Sequence, residues 1–516
     1  MPIAGARPLE LTGRAVREGA VPDPIDGKVL RSFDPATGEW LGEYVVDDEA
    51  SVDEIVELAR DATPWWAPAT TRERGRCLMR WADRLAADAK ELAVLLHREL
   101  GIPEHECHPE VLAALERIRA SARHAERILR RHRIAAPSPR ELDTTVTYRP
   151  YGVVGALGSW NDPLWTTVGV IADALAAGNT VVFKPSEFAT AVGKFLVDAF
   201  RVANSAAYLN VLSIVYGDGR TGAALCRSGL DRVAFLGSLV NARRVLALCA
   251  ENVVPVHISR SGRGAMIIAD DADMAGAVDA AVHGAFGRAE YRIEVVYVVA
   301  SARARFLEEL RTTLERDRGG PAVSRAMKTA RAIEIVGRHI DNALVLGATA
   351  LIGGYGSVRP PFVDPIVLVD PADESLLLTE RTPGPVLTVR TVPDVDEAAH
   401  LVNRDRSVSS ATVSSVRHGT ALAERLVAEC VVVNRGLPRS QELSPGPLEF
   451  ALPRCVIGGE SGSTTMPAWV MRFTYLSVLR KLLMKYDMDD KLRLYRPFAV
   501  LSAHRRSEPE MYEGKA

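Results

Sequence analysis

The chain has 516 residues, 47% of them hydrophobic and 25% charged, with a formal net charge of −2 and a pI near 6.6. This is enough material for about three domains of ordinary size or for two large α/β lobes. The near-neutral charge and the absence of a basic tract argue against a nucleic-acid-binding protein. The first residues lack the apolar stretch of a signal peptide, and no window is apolar enough to span a bilayer.

Six cysteines are scattered along the chain, without a CxxC pair and without a ligand-like cluster with histidine. They are Cys77, Cys107, Cys226, Cys249, Cys430 and Cys455. This distribution predicts reduced, mostly buried thiols in a cytoplasmic protein, and it predicts no metal site.

The chain order of the predicted elements indicates an α/β fold. Residues 49 to about 131 repeat apolar side chains at helical spacing, and residues 144–148 alternate like an exposed strand. Short β-branched runs then alternate with alanine-rich helices. The strands are predicted at residues 153–157, 180–183, 211–215 and 232–235, and a second α/β series at residues 256 to about 433. Strands at this spacing with helical crossovers predict doubly wound parallel sheets.

Several motifs in register resemble those of the aldehyde dehydrogenase superfamily. The run Ser159-Trp160-Asn161-Asp162-Pro163 is similar to the family signature that ends in Pro-Trp-Asn-x-Pro. Residues 174–187 match the family's cofactor strand almost letter for letter, and residues 235–238 resemble its Phe-Thr-Gly-Ser turn. The resemblance covers roughly residues 30–465, and motifs in register make it specific.

The resemblance implies an α/β fold with two doubly wound parallel-sheet domains and a small oligomerisation flap. It places an NAD-type cofactor-binding domain at residues 30–136 and 150–256, and a catalytic-type domain at residues 257–445. The flap and a C-terminal extension take residues 137–149 and 446–500. Assembly as a homo-oligomer, either dimer or tetramer, or as a hetero-oligomer with an active paralogue is expected.

The family's NAD site is matched in part. Lys184 and Glu187 correspond to the residues that hold the adenine ribose, and a carboxylate there favours NAD over NADP. Trp160 belongs to the same implied site. Gly217 lies in a glycine-rich turn, and Gly237-Ser238 begins a helix whose free amides suit a pyrophosphate. Such glycines also simply turn strands into helices, but with Lys184 and Glu187 in register we favour a cofactor cleft.

The nicotinamide half of that site departs from the family pattern. Where the family has Glu-Glu-x-Phe-Gly-Pro, this chain has the run from Glu380 to Pro385. Arg381 stands at the position of the glutamate that binds the nicotinamide ribose, and Pro383 stands at the phenylalanine. A cation cannot accept the same hydrogen bonds, so we predict a weakened nicotinamide site.

Aldehyde oxidation in this family needs a thiolate nucleophile, an oxyanion-binding amide and a glutamate base. Asn161 retains the amide, while Ser259 stands at the position of the glutamate. The nucleophile position falls on Ile293 if the segment is aligned without a gap, or on Arg292 if the alignment shifts. Neither is cysteine, so we predict a catalytically impaired pseudoenzyme with a binding or regulatory role.

Two other functions stay open at this stage. Cys455 precedes Gly458-Gly459 and would be the nucleophile of an active NAD-dependent aldehyde oxidoreductase, although a buried thiol is the commoner role. Ser259 and His257 alternate on one predicted strand and would serve a serine hydrolase, but no GxSxG elbow is present. The ligand would be an aldehyde or another small molecule.

The carboxyl-terminal segment from residue 466 predicts a basic amphipathic helix. Such a helix can contact a membrane surface. Packing on its own protein or on a neighbouring subunit is commoner, and we favour that interpretation.

Overall fold

The computed structural model describes residues 25–134, 143–260, 262–287, 292–317, 325–434 and 446–458. These residues divide into two compact units. The first contains residues up to 129 and residues 149–452, and the second contains residues 130–148 and those from 453 onward. The fold is α/β, as predicted.

The helices are numbered α1 to α14 in chain order. They span Glu49–Trp66, Thr71–Ala87, Ala89–Leu100, Glu104–Ile128, Trp165–Ala177, Thr190–Ala203, Gly219–Arg227, Leu239–Glu251, Met274–Phe286, Ala300–Asp317, Ala330–Val345, Leu376–Thr379, Val395–Arg404 and Gly419–Ala423. The long helical region predicted for residues 49–131 is thus four helices, α1 to α4. None of the helices in the described ranges combines the length and apolarity that a membrane crossing requires.

The strands are numbered β1 to β21 in the same way. They span Ile25–Asp26, Val29–Phe33, Trp40–Val45, His132–Ile134, Asp143–Pro150, Val153–Leu157, Thr180–Lys184, Leu212–Ile214, Arg232–Gly237, Val256–Arg260, Arg263–Ile268, Ile293–Val299, Arg325–Ala326, Thr349–Ile352, Val358–Arg359, Phe362–Val363, Ile366–Val369, Val386–Val392, Val408–Ser414, Cys430–Val433 and Ala451–Gly458.

The first large sheet has five parallel strands in the order β10-β9-β6-β7-β8. Every residue of β6 and β7 is buried, as expected for strands covered by helices on both faces. From β6 the chain moves outward through β7 and β8, and it then returns to the other side of β6 with β9. The order therefore reverses between β6 and β9, and such a reversal leaves a crevice at the carboxyl ends of the strands.

The second large sheet has seven strands in the order β14-β17-β18-β12-β11-β19-β20. It is parallel except for β14, which pairs antiparallel with β17 at one edge. The change of sheet lies between Arg260, the last residue of β10, and Arg263, the first of β11. The predicted domain boundary at residues 256–257 thus falls at the start of β10, which pairs with the first sheet.

A small sheet in the order β21-β5-β4 belongs to the segments predicted to form the flap. In the second unit β4 pairs antiparallel with β5, with His132 opposite Val146. An oligomerisation role for these strands remains a prediction. The predicted basic helix from residue 466 lies outside the described residues.

A buried ion pair joins two helices of the first unit. Arg117 of α4 donates to the carboxylate of Asp173 of α5, and the two residues are 4% and 0% exposed. Ser121 donates a second hydrogen bond to Asp173 at 2.7 Å. The helix α5 is otherwise apolar on almost all sides, so this carboxylate and its partners are desolvated together. Removing one member of such a pair leaves an uncompensated buried charge.

We therefore expect Asp173→Ala to lower the free energy of unfolding by about 3–5 kcal/mol. The matched control is Asp198→Ala on α6, where an exposed carboxylate pairs with Lys194. That control should change stability by less than about 1 kcal/mol. Chemical denaturation of both variants measures the difference, and equal effects would contradict this account of the pair.

Candidate functional site

A cleft of about 1330 Å³ lies between the two large sheets of the first unit. On one side it is lined by residues at or after the carboxyl ends of β6, β7 and β9. On the other side it is lined by residues that precede the amino ends of β12 and β18. The cleft therefore includes the crevice at the strand-order reversal.

The predicted ribose-binding residues meet at the end of β7. Lys184 is buried, lines the cleft and donates from Nζ to the carbonyl oxygen of Pro185 at 2.8 Å. Burial lowers the pKa of Lys184, while the carboxylates of Glu187 and Asp218 oppose that shift. Glu187 also lines the cleft, so the structure brings this lysine and this carboxylate to one surface.

The predicted aromatic and amide residues follow β6. Trp160 and Asn161 both line the cleft. The Trp160 ring packs edge-on against Phe188, with 6.4 Å between ring centroids. The main-chain amide of Asn161 donates to the Ser159 hydroxyl at 3.1 Å. These contacts hold the loop at the mouth of the strand-order reversal.

Two helices begin at the cleft. Asp218 caps α7 by accepting from the amide of Arg220 at 2.8 Å, and Ser238 caps α8 by accepting from the amide of Asn241 at 3.3 Å. Gly237 and Ser238 line the cleft. The amino ends of helices carry partial positive charge and unpaired amides, which suits an anionic group.

The structure shows a backbone role for Gly217, and its contact with a cofactor remains a prediction. It is absent from the described lining of the cleft, and its φ is 151°. A Cβ there would lie 2.0 Å from the Thr221 hydroxyl oxygen. The turn before α7 therefore requires glycine for its backbone, in line with the structural alternative noted for these glycines.

A carboxylate surrounded by arginines lies behind the side of the cleft that the second large sheet forms. Glu294 is 3% exposed and is the extra residue of a β-bulge, because Ile293 and Val295 pair with consecutive residues of β11. Its oxygens lie 3.3 Å from guanidinium nitrogens of Arg263, Arg292 and Arg381. Bulges occur often near functional sites, where they re-aim a side chain.

Positive charge predominates on the described cleft surface. Eight basic side chains line it, against four carboxylates. The basic residues are Lys184, Arg220, Arg244, Arg292, Arg325, Lys328, Arg331 and Arg381, and the acidic ones are Glu110, Asp162, Glu187 and Asp218. Arg325, Lys328 and Arg331 were not predicted from the sequence, because their spacing is that of an ordinary exposed helix start.

A model of the aldehyde dehydrogenase family matches residues 23–446 of this chain. The chain belongs to the aldehyde dehydrogenase family. This confirms the family predicted from the motifs.

Known family members resemble the chain over most of its length. It is 31% identical over 415 residues to a 4,4'-diapolycopene aldehyde oxidase from Methylomonas sp., covering 78% of this chain and 77% of that protein. An aldehyde dehydrogenase from Brucella melitensis biovar abortus 2308 is 26% identical, with a TM-score of 0.79 and coverage of 86% and 96% of the two chains. For an NAD-dependent aldehyde dehydrogenase from Sinorhizobium meliloti the identity is 24% and the TM-score 0.80, with coverage of 86% and 94%.

The two residues considered for the nucleophile position in this family member differ in location. Ile293 is 0% exposed and lies against α9, where a Cβ on Gly284 would be 2.4 Å from its Cδ1. Arg292 lines the cleft and donates to the carbonyl oxygen of Thr382. Of the two, only Arg292 reaches the cleft, while residues 288–291 lie outside the described ranges.

Ser259, at the position predicted for the family's base, does not line the described surface of the cleft. Ser259 and His257 are half-buried on β10, and neither appears in the described lining of the cleft. His257 Nδ1 lies 3.5 Å from the carboxylate of Glu449. Within the described contacts no hydrogen bond joins Ser259 to His257, so the structure does not bring together a serine–histidine pair.

No described cysteine side chain lines the cleft. Cys77, Cys107, Cys226 and Cys249 are buried and Cys430 is half-buried, and all five lie away from the described lining. The sequence has no cysteine between Cys249 and Cys430, which is the stretch that contains β12. The side chain of Cys455 lies outside the described residues.

A buried histidine holds the loop that carries Arg381. His339 of α11 is 0% exposed, with Nδ1 2.9 Å from the Thr382 hydroxyl and Nε2 3.2 Å from a Glu380 carboxylate oxygen. Burial lowers the pKa of His339, although Glu380 acts in the opposite direction. The unfolded chain therefore binds this proton more readily than the folded protein.

Stability should consequently fall as the pH drops below about 6.5, the ordinary histidine value, and His339→Gln should reduce that fall. The contribution of one such group is at most about 1.4 kcal/mol per pH unit. Urea unfolding at several pH values between neutral and mildly acidic measures it. The control His400→Gln alters an exposed histidine, and an equal effect there would refute the role of His339.

Proposed function

We propose that this aldehyde dehydrogenase family member is a binding or regulatory protein that does not oxidise aldehydes by the family's thioester route. The observation that carries the proposal is the lack of a thiol on the described cleft surface, where Arg292 stands beside the strand that would follow the nucleophile. A guanidinium stays protonated in proteins and cannot replace a thiolate. A serine hydroxyl at position 259 cannot replace a carboxylate base near neutral pH without a helper.

We further propose that the cleft retains the adenosine half of an NAD site. Lys184 and Glu187 line one surface, and two helices begin beside them. These groups fit a ribose and a pyrophosphate, because a carboxylate accepts from ribose hydroxyls and helix amides bind anions. A relative of the same fold is named an NAD-dependent enzyme, which supports this assignment. When bound, NAD would supply a hydride acceptor.

The described residues do not fit the nicotinamide ribose in the family's manner. Arg381 lines the cleft where the family places a glutamate, and its guanidinium pairs with Glu294 at 3.3 Å. A cation offers no acceptor for ribose hydroxyls. We therefore propose that binding depends on the adenosine half.

An active NAD-dependent aldehyde oxidoreductase with Cys455 as a relocated nucleophile is the second candidate. The name of the Methylomonas relative, an aldehyde oxidase, favours it. The serine hydrolase has no comparable support, since Ser259 lies away from the described cleft surface. Homo-oligomeric assembly, a paralogous partner and a cytoplasmic location remain predictions from the sequence.

Purified protein should form no NADH with NAD and a panel of short, long and aromatic aldehydes, because the described surface of the cleft has no thiolate to form the hydride-donating adduct. Absorbance of NADH measures this, with Cys455→Ala alongside. NADH formation that Cys455→Ala abolishes would overturn the proposal in favour of the second candidate. NADH formation that survives in the variant would overturn both.

NAD and AMP should bind with dissociation constants within about tenfold of each other, because the nicotinamide half adds little. Glu187→Gln should weaken both by about tenfold, since it removes a charged hydrogen-bond acceptor. Calorimetric titration measures these constants, with exposed Glu91→Gln on α3 as the control. Absence of NAD binding, or loss of NAD affinity without loss of AMP affinity, would remove the cofactor part of the proposal.

A further inference from the structure

Lys328 places a buried amine at the cleft. It lies between β13 and α11, is 5% exposed and contributes to the cleft lining. Two lysines line the described surface of the cleft, and they differ in their partners. Lys184 donates to Pro185, whereas in the described part of the chain Lys328 has no hydrogen bond and no ion pair.

The two carboxylates that favour a charged Lys328, Glu99 and Asp34, already accept hydrogen bonds from other groups. Glu99 accepts from the Ser32 hydroxyl at 2.6 Å and from the amides of Ala191 and Val192 at 2.8 Å each. Asp34 accepts from the amide of Ala36 at 2.8 Å. Neither carboxylate lies within ion-pair distance of the Lys328 amine, so the described residues give its ammonium form no direct counter-ion.

Burial of the Lys328 side chain opposes a positive charge on its amine. Lys328 directly precedes Thr329, the N-cap residue of α11. Burial lowers the pKa of Lys328 to about 8, even though Glu99 and Asp34 act to raise it. At a pH near 8, Lys328 is a neutral amine in about half of the protein molecules, whereas an ordinary exposed lysine is neutral in less than about one percent of them.

A neutral amine is the form that reacts with carbonyl compounds. The nitrogen lone pair forms a bond to the carbonyl carbon, and the carbonyl π electrons move to the oxygen. Proton transfer from nitrogen to oxygen gives a carbinolamine. Loss of water then gives an imine without any oxidant or reductant, and water reverses the reaction.

We propose that Lys328 is the nucleophile of this cleft and holds an aldehyde as a reversible imine. The inference deepens the proposed function and rests on it, since it names the ligand class and the atom that binds it in a cleft whose described lining has no thiol. Asn161 lines the same cleft and offers an amide for the carbonyl oxygen. Such a protein would capture and release an aldehyde without changing its oxidation state.

Reductive trapping tests this in the full-length protein. Hexanal or benzaldehyde is added at pH 8 without NAD, together with sodium cyanoborohydride, which reduces an imine to a stable secondary amine. Peptide mass spectrometry should find Lys328 labelled at least about tenfold more than Lys90, an exposed lysine of α3. Lys328→Met should lose that label, and the control Lys90→Met should keep it.

Three outcomes would overturn the inference: no label on Lys328 while other lysines react, a label chiefly on Lys184, or labelling that follows exposure alone. The labelling pattern of the unmutated protein distinguishes these outcomes even if Lys328→Met does not fold. Failure here is distinct from failure of the proposed function. If NADH forms and Lys328 is labelled, only the proposed function is refuted. If no NADH forms and Lys328 is unlabelled, only the imine is refuted.

Discussion

Burial of parallel strands on both faces is the constraint on which the rest of this structure depends. Helices cover both sides of β6 and β7, so these strands can present polar groups only where they end. Lys184 is the last residue of β7, and Trp160 and Asn161 follow β6. Every predicted residue that reaches the cleft from the first sheet does so in this way. The chemistry of the protein is therefore confined to the space where strand ends of the two sheets meet.

The second sheet contributes to that space from the amino ends of its strands. A β-bulge turns Glu294 toward three arginines, and this buried carboxylate holds Arg292 and Arg381 at the cleft. Placing several guanidiniums around one carboxylate is stable only when every charge has a partner. Arg292 and Arg381 thus share Glu294 as a counter-ion.

The two lysines that line the described surface of the cleft differ in their partners. Lys184 has a hydrogen-bond partner and belongs to a surface that suits a nucleotide, while burial disfavours the charge of Lys328. A cleft without a thiol can still react with a carbonyl if it holds a neutral amine.

The sequence by itself determined the family, the α/β class and four of the five strands of the first sheet, because β-branched runs and motifs with fixed spacing are local signals, whereas β10 was predicted to belong to the second domain. It also determined that no thiol lies between Cys249 and Cys430. Only the tertiary structure decided that Ile293 packs in the core while Arg292 reaches the cleft, since one bulge changes which side chains face inward. Lys328 likewise gives no local signal, because its burial arises from segments distant in the chain.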